Sequence, residues 1–299
     1  MSFTYKTQDI IQALINKMQL PTTFELVVET IYLPLTEHIL NKKSDQPLFI
    51  SINGAQGTGK STLTHFLKHL IEAETNYSVA EMSLDDFYST RAQRAQLAQS
   101  VHPLLQTRGV PGTHDVELME NTLSMLLEGY VCKIPRFNKA IDDRYQKKEW
   151  TYSKKNTDIV LFEGWCNHSP IQEDDELLLP INELESEDDA EGIWRNYANE
   201  QLKNYHNTIF KHADMSLMLK APDFEKIYEW RSLQEEKLKR NTQASEPSHI
   251  MSANDLKRFI QHYERITRHT LKHLPTTADI IVPIAADHSI EKIIQQYDK

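Results

Sequence analysis

The chain has 299 residues, with 33 basic and 43 acidic side chains and a net charge of −10, a balance that excludes the basic footprint needed to bind nucleic acid or an anionic membrane. Ten of the acids lie between Glu173 and Glu191 with no Lys or Arg among them; such a run is expected to be a solvated face or loop, and the rest of the chain is electrically balanced. No apolar stretch is long enough for a membrane span, no leader pattern is visible, and Cys132 and Cys166 fit neither a metal spacing nor a disulfide framework, so a cytoplasmic protein with reduced thiols is expected.

Residues 3–43 read as helical and are expected to pack on the edge of a sheet. Short apolar runs then follow at Leu48–Asn53, Tyr77–Met82, Asp158–Phe162, Met215–Leu219 and Asp279–Ile284. Between them lie amphipathic segments, at Ser61–Ala73, Asp115–Glu128, Trp194–His212, Asp223–Arg240 and Ala253–His273. Near-continuous apolar strands alternating with helices predict an α/β fold, a mostly parallel sheet with helices on both faces. Right-handed crossovers wind the chain around it.

Directly after the first strand comes Gly54-Ala55-Gln56-Gly57-Thr58-Gly59-Lys60-Ser61, running into the helical Thr62-Leu63-Thr64. This is the G-x-x-x-x-G-K-[ST] pattern in its strand-to-helix setting. The chain holds only eight glycines, and three of them fall here. Glycine lets backbone N–H groups turn onto phosphate oxygens, and the helix N-terminus adds positive partial charge. Lys60 is predicted to reach the β- and γ-phosphates of ATP, and Ser61 to place its hydroxyl on Mg²⁺. The motif predicts a P-loop NTPase fold.

Two further strand ends carry acids. The second apolar run continues into Ser83-Leu84-Asp85-Asp86-Phe87-Tyr88, and the third ends at Glu163-Gly164. Glu163 is placed to orient Mg²⁺, and Asp85 to orient and deprotonate an acceptor hydroxyl, as kinases require. A GTPase would carry N-K-x-D late in the chain, and Asn41–Asp45 and Asn138–Asp142 both have one residue too many. His65 with His69, and His269 with His273, have helical spacing but lack the Glu of H-E-x-x-H, so metal binding is not expected from them.

At these residues the sequence resembles the phosphoribulokinase/uridine kinase/pantothenate kinase superfamily, and within it the plant-type D-glycerate 3-kinases and their bacterial and fungal kinase-like relatives. The resemblance is carried by the S-x-D-x-F-Y strand end, Arg108-Gly109-Val110-Pro111-Gly112-Thr113-His114-Asp115, and Pro135 to Arg144. It extends through Pro180–Glu185, Gly192–Arg195 with Asn199, Trp230-Arg231 with Gln234-Glu235, Met251-Ser252, and Phe259 to Pro275. It covers residues 47 to the end, and it makes the acidic segment an intrinsic element. One departure is the short Ala140-Ile141-Asp142-Asp143, where the family stretch is often longer and glycine-containing.

The chain is expected to divide into the helical segment over 1–46, packed on the core, and a kinase domain over 47–299, in which the resemblance implies a helical lid at about 222–250. It makes Asp85 the catalytic base. Arg108, Lys139 and Arg144 are candidates for an acceptor carboxylate, Tyr88 and His114 for other acceptor contacts, and Arg231 for the transferring γ-phosphoryl group. Its alternative role is an ion pair with Glu235, four residues on. The expected activity is ATP- and Mg²⁺-dependent phosphorylation of a hydroxyl on a small anionic molecule, D-glycerate first. The alternatives are a pantothenate- or nucleoside-kinase-like activity, or a nucleotide-gated regulatory protein.

Overall fold

The computed structural model describes residues 5–241, 252–290 and 292–295. The chain opens with helices α1 (Tyr5–Lys17) and α2 (Phe24–Val27), a wider turn over Val28–Tyr32, and α3 (Leu33–Lys42). Strand β1 (Leu48–Gly54) leads into α4 (Lys60–Glu74), β2 (Val79–Ser83), α5 (Arg91–Ser100) and α6 (Val116–Leu127). A flap of two-residue strands follows, β3 (Lys133–Ile134), β4 (Phe137–Asn138), β5 (Asp143–Arg144) and β6 (Thr151–Tyr152), in which β3 pairs with β6 and β4 with β5. Then come β7 (Ile159–Gly164), α7 (Glu183–Asp188), α8 (Ile193–Thr208), β8 (Met215–Lys220), α9 (Phe224–Asn241), α10 (Ala253–His273), β9 (Ile280–Pro283) and β10 (Ile294–Gln295).

The main sheet has the order β10-β9-β8-β1-β7-β2, with every pairing parallel except that of β10 on β9. All seven residues of β1 and all six of β7 are buried, because helices cover both faces. Leu48, Ile50 and Ile52 turn to one face, in a cluster with Leu63 and Phe66 of α4 and with Ile11, Leu14 and Leu35 of α1 and α3. Phe49, Val160 and Phe162 turn to the other, with Met119 of α6 and Tyr205 of α8. The amino-terminal helices therefore belong to the layer over one sheet face, and they also meet the sheet's edges, where His38 faces Gln295 of β10 and where Lys17 and Met18 share a recess with Glu81 to Ser83 of β2. Sequence reading had placed them on the edge because it could not see that α4 leaves apolar surface to cover.

Register fixes what the strand ends bring together. Ile52 of β1 lies beside Glu163 of β7, and Glu163 lies beside Ser83 of β2. The phosphate loop, Glu163 and the turn carrying Asp85 thus emerge side by side at the carboxyl ends of adjacent parallel strands. Ligands of open α/β sheets bind in that crevice.

The acidic segment is not simply a solvated face. Glu185 and Asp189 are buried. Arg265 of α10 donates Nε and Nη2 to Glu185 at 2.7 and 2.6 Å, and its remaining N–H groups go to the carbonyls of Glu176 and Leu179. Asp189 caps α8 by accepting from the N–H groups of Trp194 and Arg195, and it also pairs with the Arg195 guanidinium. Two buried arginines from elsewhere in the chain fold the run back onto the body. Glu183, Glu187 and Asp188 do stay on the surface, opposite Lys257 and Arg258. Glu185→Ala leaves Arg265 buried without its partner, so unfolding free energy should drop by about 3–5 kcal/mol, measured by urea denaturation. A loss below 1 kcal/mol would mean that the pair contributes no more than a surface one.

Candidate active site

Glycine shapes the phosphate loop. Gly57 and Gly59 both have φ +85°, a left-handed backbone that other residues adopt at a cost. A side chain on Gly54 would come within 2.6 Å of Thr58 Oγ1. The Thr58 hydroxyl donates to the Ala55 carbonyl at 2.8 Å, and Lys60 Nζ reaches the same oxygen at 3.3 Å. Lys60 therefore lies back along its own loop, 4.0 Å from Glu163 Oε2. Ser61 and Ser83 both donate to Glu163 Oε1, at 2.9 and 2.8 Å. This gathers two hydroxyls and a carboxylate at the start of α4.

The turn after β2 separates the two adjacent acids. Asp86 faces sideways, where it accepts from Arg136 at 2.6 Å and from the backbone N–H of Phe137 at 3.0 Å, tying the flap to the sheet. Burial pushes its carboxyl upward, against the pull of Arg136. Asp85 faces the crevice, with 36% of its side chain open. It accepts from Lys139 Nζ at 2.5 Å and from the Tyr88 hydroxyl at 2.9 Å. Burial raises its pKa, but Lys139, Lys60 and Tyr88 together outweigh that and hold it down at about 2. Tyr88 itself is pushed well up by burial and by the neighbouring carboxylate.

These groups line one cavity of about 400 Å³, which brings together Gln56, Gly57, Lys60, Ser61 and Glu163 with Asp85, Tyr88, Arg108, Lys139 and Arg231. Its remaining walls are Trp165, Phe259 and Tyr263, none of them expected from sequence. Trp165 follows Glu163-Gly164 directly, so its place at a strand end was the available signal. Phe259 and Tyr263, four apart on α10, look like ordinary core. Trp165 Nε1 and the Tyr263 hydroxyl hold the backbone carbonyls of Gly109 and Arg108 at 3.0 and 3.2 Å. Gly109 has φ +147°, and a side chain there would meet the Tyr263 hydroxyl at 2.3 Å. Only glycine lets the chain pass close enough to aim Arg108 inward.

Two residues expected at the acceptor do not line the cavity. Arg144 is turned to the Tyr88 carbonyl at 2.9 Å and to Asp115 at 3.1 Å, bracing the flap against the start of α6. His114 lies behind Tyr88, stacked on it at 4.6 Å and 21°. The Tyr205 hydroxyl accepts from the Gly112 N–H at 2.9 Å and lies 2.8 Å from His114 Nδ1. Arg231, on α9, does face the cavity. Its suggested partner Glu235 has a side chain outside the described residues, as do residues 242–250 of the expected lid and Met251.

Burial holds His114 neutral, with a pKa lowered to about 3, and His262 likewise at about 4. Below pH 6.5 the unfolded chain binds protons that these two rings refuse. Stability is therefore full above about pH 6.5 and falls as pH drops toward 4. At pH 5 the loss should be about 2 kcal/mol for each ring. Urea unfolding at pH 7 and pH 5 tests this, and equal stability at the two would contradict it.

The fold and cavity define a phosphate-loop kinase. Residues 49–170 match the phosphoribulokinase/uridine kinase family. A Schizosaccharomyces pombe protein described as "Uncharacterized kinase mug58" is 31% identical over 258 residues, 81% of this chain and 87% of that one. The chloroplastic D-glycerate 3-kinase of Arabidopsis thaliana is 30% identical over 228 residues, 73% of this chain but only 46% of that longer protein. The solved structure of D-glycerate 3-kinase from Cryptococcus neoformans shares the fold at a TM-score of 0.71 and 22% identity, covering 92% of this chain and all of that one.

The chain belongs to the phosphoribulokinase/uridine kinase family, and is an ATP-dependent kinase of that family. No helix among the described residues is long and apolar enough to cross a membrane.

Proposed function

We propose that the chain transfers the γ-phosphoryl group of ATP to a hydroxyl of a small anionic molecule, with D-glycerate as the substrate. One observation supports this reading: a single cavity is lined by the phosphate loop, by the cations Arg108 and Lys139 and by the Asp85 carboxylate. The relatives named for D-glycerate 3-kinase support the choice of acceptor.

The residues divide the work as follows. Backbone N–H groups of residues 54–62 and Lys60 hold the triphosphate. Ser61 and Glu163 would hold Mg²⁺, since hydroxyl and carboxylate oxygens suit this hard cation. The ion held there would supply positive charge to offset the negative charge that builds on the phosphates. Arg108 and Lys139 take the acceptor's carboxylate. Asp85 accepts the proton of the attacking hydroxyl as its oxygen bonds to the γ-phosphorus, the bond to the bridging oxygen breaks, and ADP leaves. Arg231, on α9, adds positive charge over the transferring group. Residues 1–46 act as a packing segment on a kinase domain of 47–299.

The test is ADP release by the purified chain with ATP and Mg²⁺, offered D-glycerate, L-glycerate, glycerol, pantothenate and uridine in turn, with the product weighed by mass spectrometry. Turnover should be stimulated by D-glycerate and yield a monophosphate ester. Stimulation by pantothenate or uridine alone would replace the acceptor. ATP binding with no acceptor-stimulated turnover would replace the kinase reading with a nucleotide-gated one.

A further inference from the structure

We propose that Glu176, His269 and His273 form a binding site for a divalent transition-metal cation of the zinc class, apart from the phosphate-transfer cavity and independent of its acceptor. His269 and His273 are four residues apart on α10 and share one face of it, with ring centroids 4.4 Å apart. The third ligand comes from far away in sequence, where spacing rules cannot see it. The turn at Asp174–Leu177 is pinned to α10 by Arg265, which donates to the Glu176 carbonyl at 2.8 Å. That places Glu176 Oε1 3.5 Å from His269 Nδ1. Its other oxygen accepts from the Glu173 N–H at 3.0 Å, so the carboxylate is oriented from behind, as ligating carboxylates are.

One donor atom from each of the three residues lies within 4.8 Å of the other two, and no other His, Cys, Asp or Glu trio among the described residues converges in this way. A tetrahedral ion with bonds of about 2.1 Å needs donors about 3.4 Å apart. Rotation of an exposed Glu and a partly exposed His273 can close that gap. His273 Nε2 is buried with no hydrogen-bond partner, a state that buried polar atoms rarely keep. The recess beside the three residues has a volume of about 370 Å³. Its two arginines are already turned to carboxylates, Arg265 to Glu185 and Arg268 to Glu264 and Glu225.

The other histidine pair shows that spacing alone is insufficient. His65 and His69 are also four apart and stand beside Glu81, yet His69 Nδ1 lies 2.8 Å from the carbonyl of His65 and Glu81 meets only His65. Two imidazoles and one carboxylate suit Zn²⁺ and leave a coordination position for water, whereas Mg²⁺ and Ca²⁺ prefer all-oxygen sets. A bound ion would fasten the acidic segment to α10, six residues or about 9 Å along the helix from Tyr263 in the cavity wall.

The experiment titrates the chelator-treated full chain with Co²⁺ and then Zn²⁺, in excess Mg²⁺ to fill the oxygen-rich site at Ser61 and Glu163. The expected result is one equivalent of Co²⁺ with visible absorption of low-coordinate geometry, displaced by Zn²⁺. Zn²⁺ affinity should fall at least tenfold in His269→Gln and in Glu176→Gln, and stay within twofold in His65→Gln. Circular dichroism confirms that each variant is folded, and the exposed Glu176 provides the variant least able to disturb packing. Wild-type affinity in both His269→Gln and Glu176→Gln, or no saturable Zn²⁺ uptake by the wild type, would overturn the site.

Discussion

Asp85→Asn should lose acceptor-dependent turnover by 10²- to 10⁴-fold, about 3–5 kcal/mol of barrier, while the affinity for Mg·ATP stays within a few-fold. The substitution keeps the shape of the side chain and removes its charge and its proton-accepting oxygen. Its partners are Lys139, 61% exposed and able to return to water, and the Tyr88 hydroxyl, which can donate to an amide oxygen instead. Folding should therefore suffer little. The proton acceptor is what disappears. Lys139, Lys60 and the Tyr88 hydroxyl hold the Asp85 pKa at about 2, so in the proposed reaction its basicity depends on the acceptor drawing Lys139 away. Initial rates at saturating ATP, with nucleotide affinity measured separately, distinguish the outcomes. Full turnover per folded molecule would show that Asp85 only braces the turn.

Lys60→Ala should lower turnover by about 10²- to 10³-fold, the usual consequence of removing one preorganised positive group from a site where charge develops. Lys60 Nζ touches only the Ala55 carbonyl and, at 4.0 Å, Glu163. Its largely buried side chain lies against the loop and outside the apolar core clusters, so the circular dichroism of the variant should match wild type. ATP affinity should weaken too, which separates this variant from Asp85→Asn. Unchanged turnover would remove Lys60 from the reaction and with it the reading of the whole loop.

The parts of the fold legible in the sequence are those set by local pattern. Strand β1 reads as an unbroken apolar run because both faces are covered, and the glycine loop behind it has one geometry. Helix α10 runs over Ala253–His273 as expected, its start marked by the Ser252 cap. Helix α5 was not visible, because Arg91-Ala92-Gln93-Arg94-Ala95-Gln96 has no apolar stripe. It stands on a Thr90–Gln93 capping box and on Arg94, a fully buried arginine whose partners lie on the flap. The acidic segment reads as surface for the same reason: a charge run shows its own sign and not the Arg195 just beyond it or the distant Arg265 that bury part of it. In the cavity, residues fixed by motif were found and those fixed by packing were not. Trp165 and Tyr263 look like core, while Arg144 looks like an anion ligand until its partners on Tyr88 and Asp115 are seen.

Asp142 holds a left-handed conformation, φ +55°, with its carboxylate shared between Arg94 and Arg108. An incoming carboxylate at Arg108 thus finds an anion already seated there, and its arrival is an exchange rather than an addition. A neutral alcohol has nothing to trade and would leave the internal anion in place.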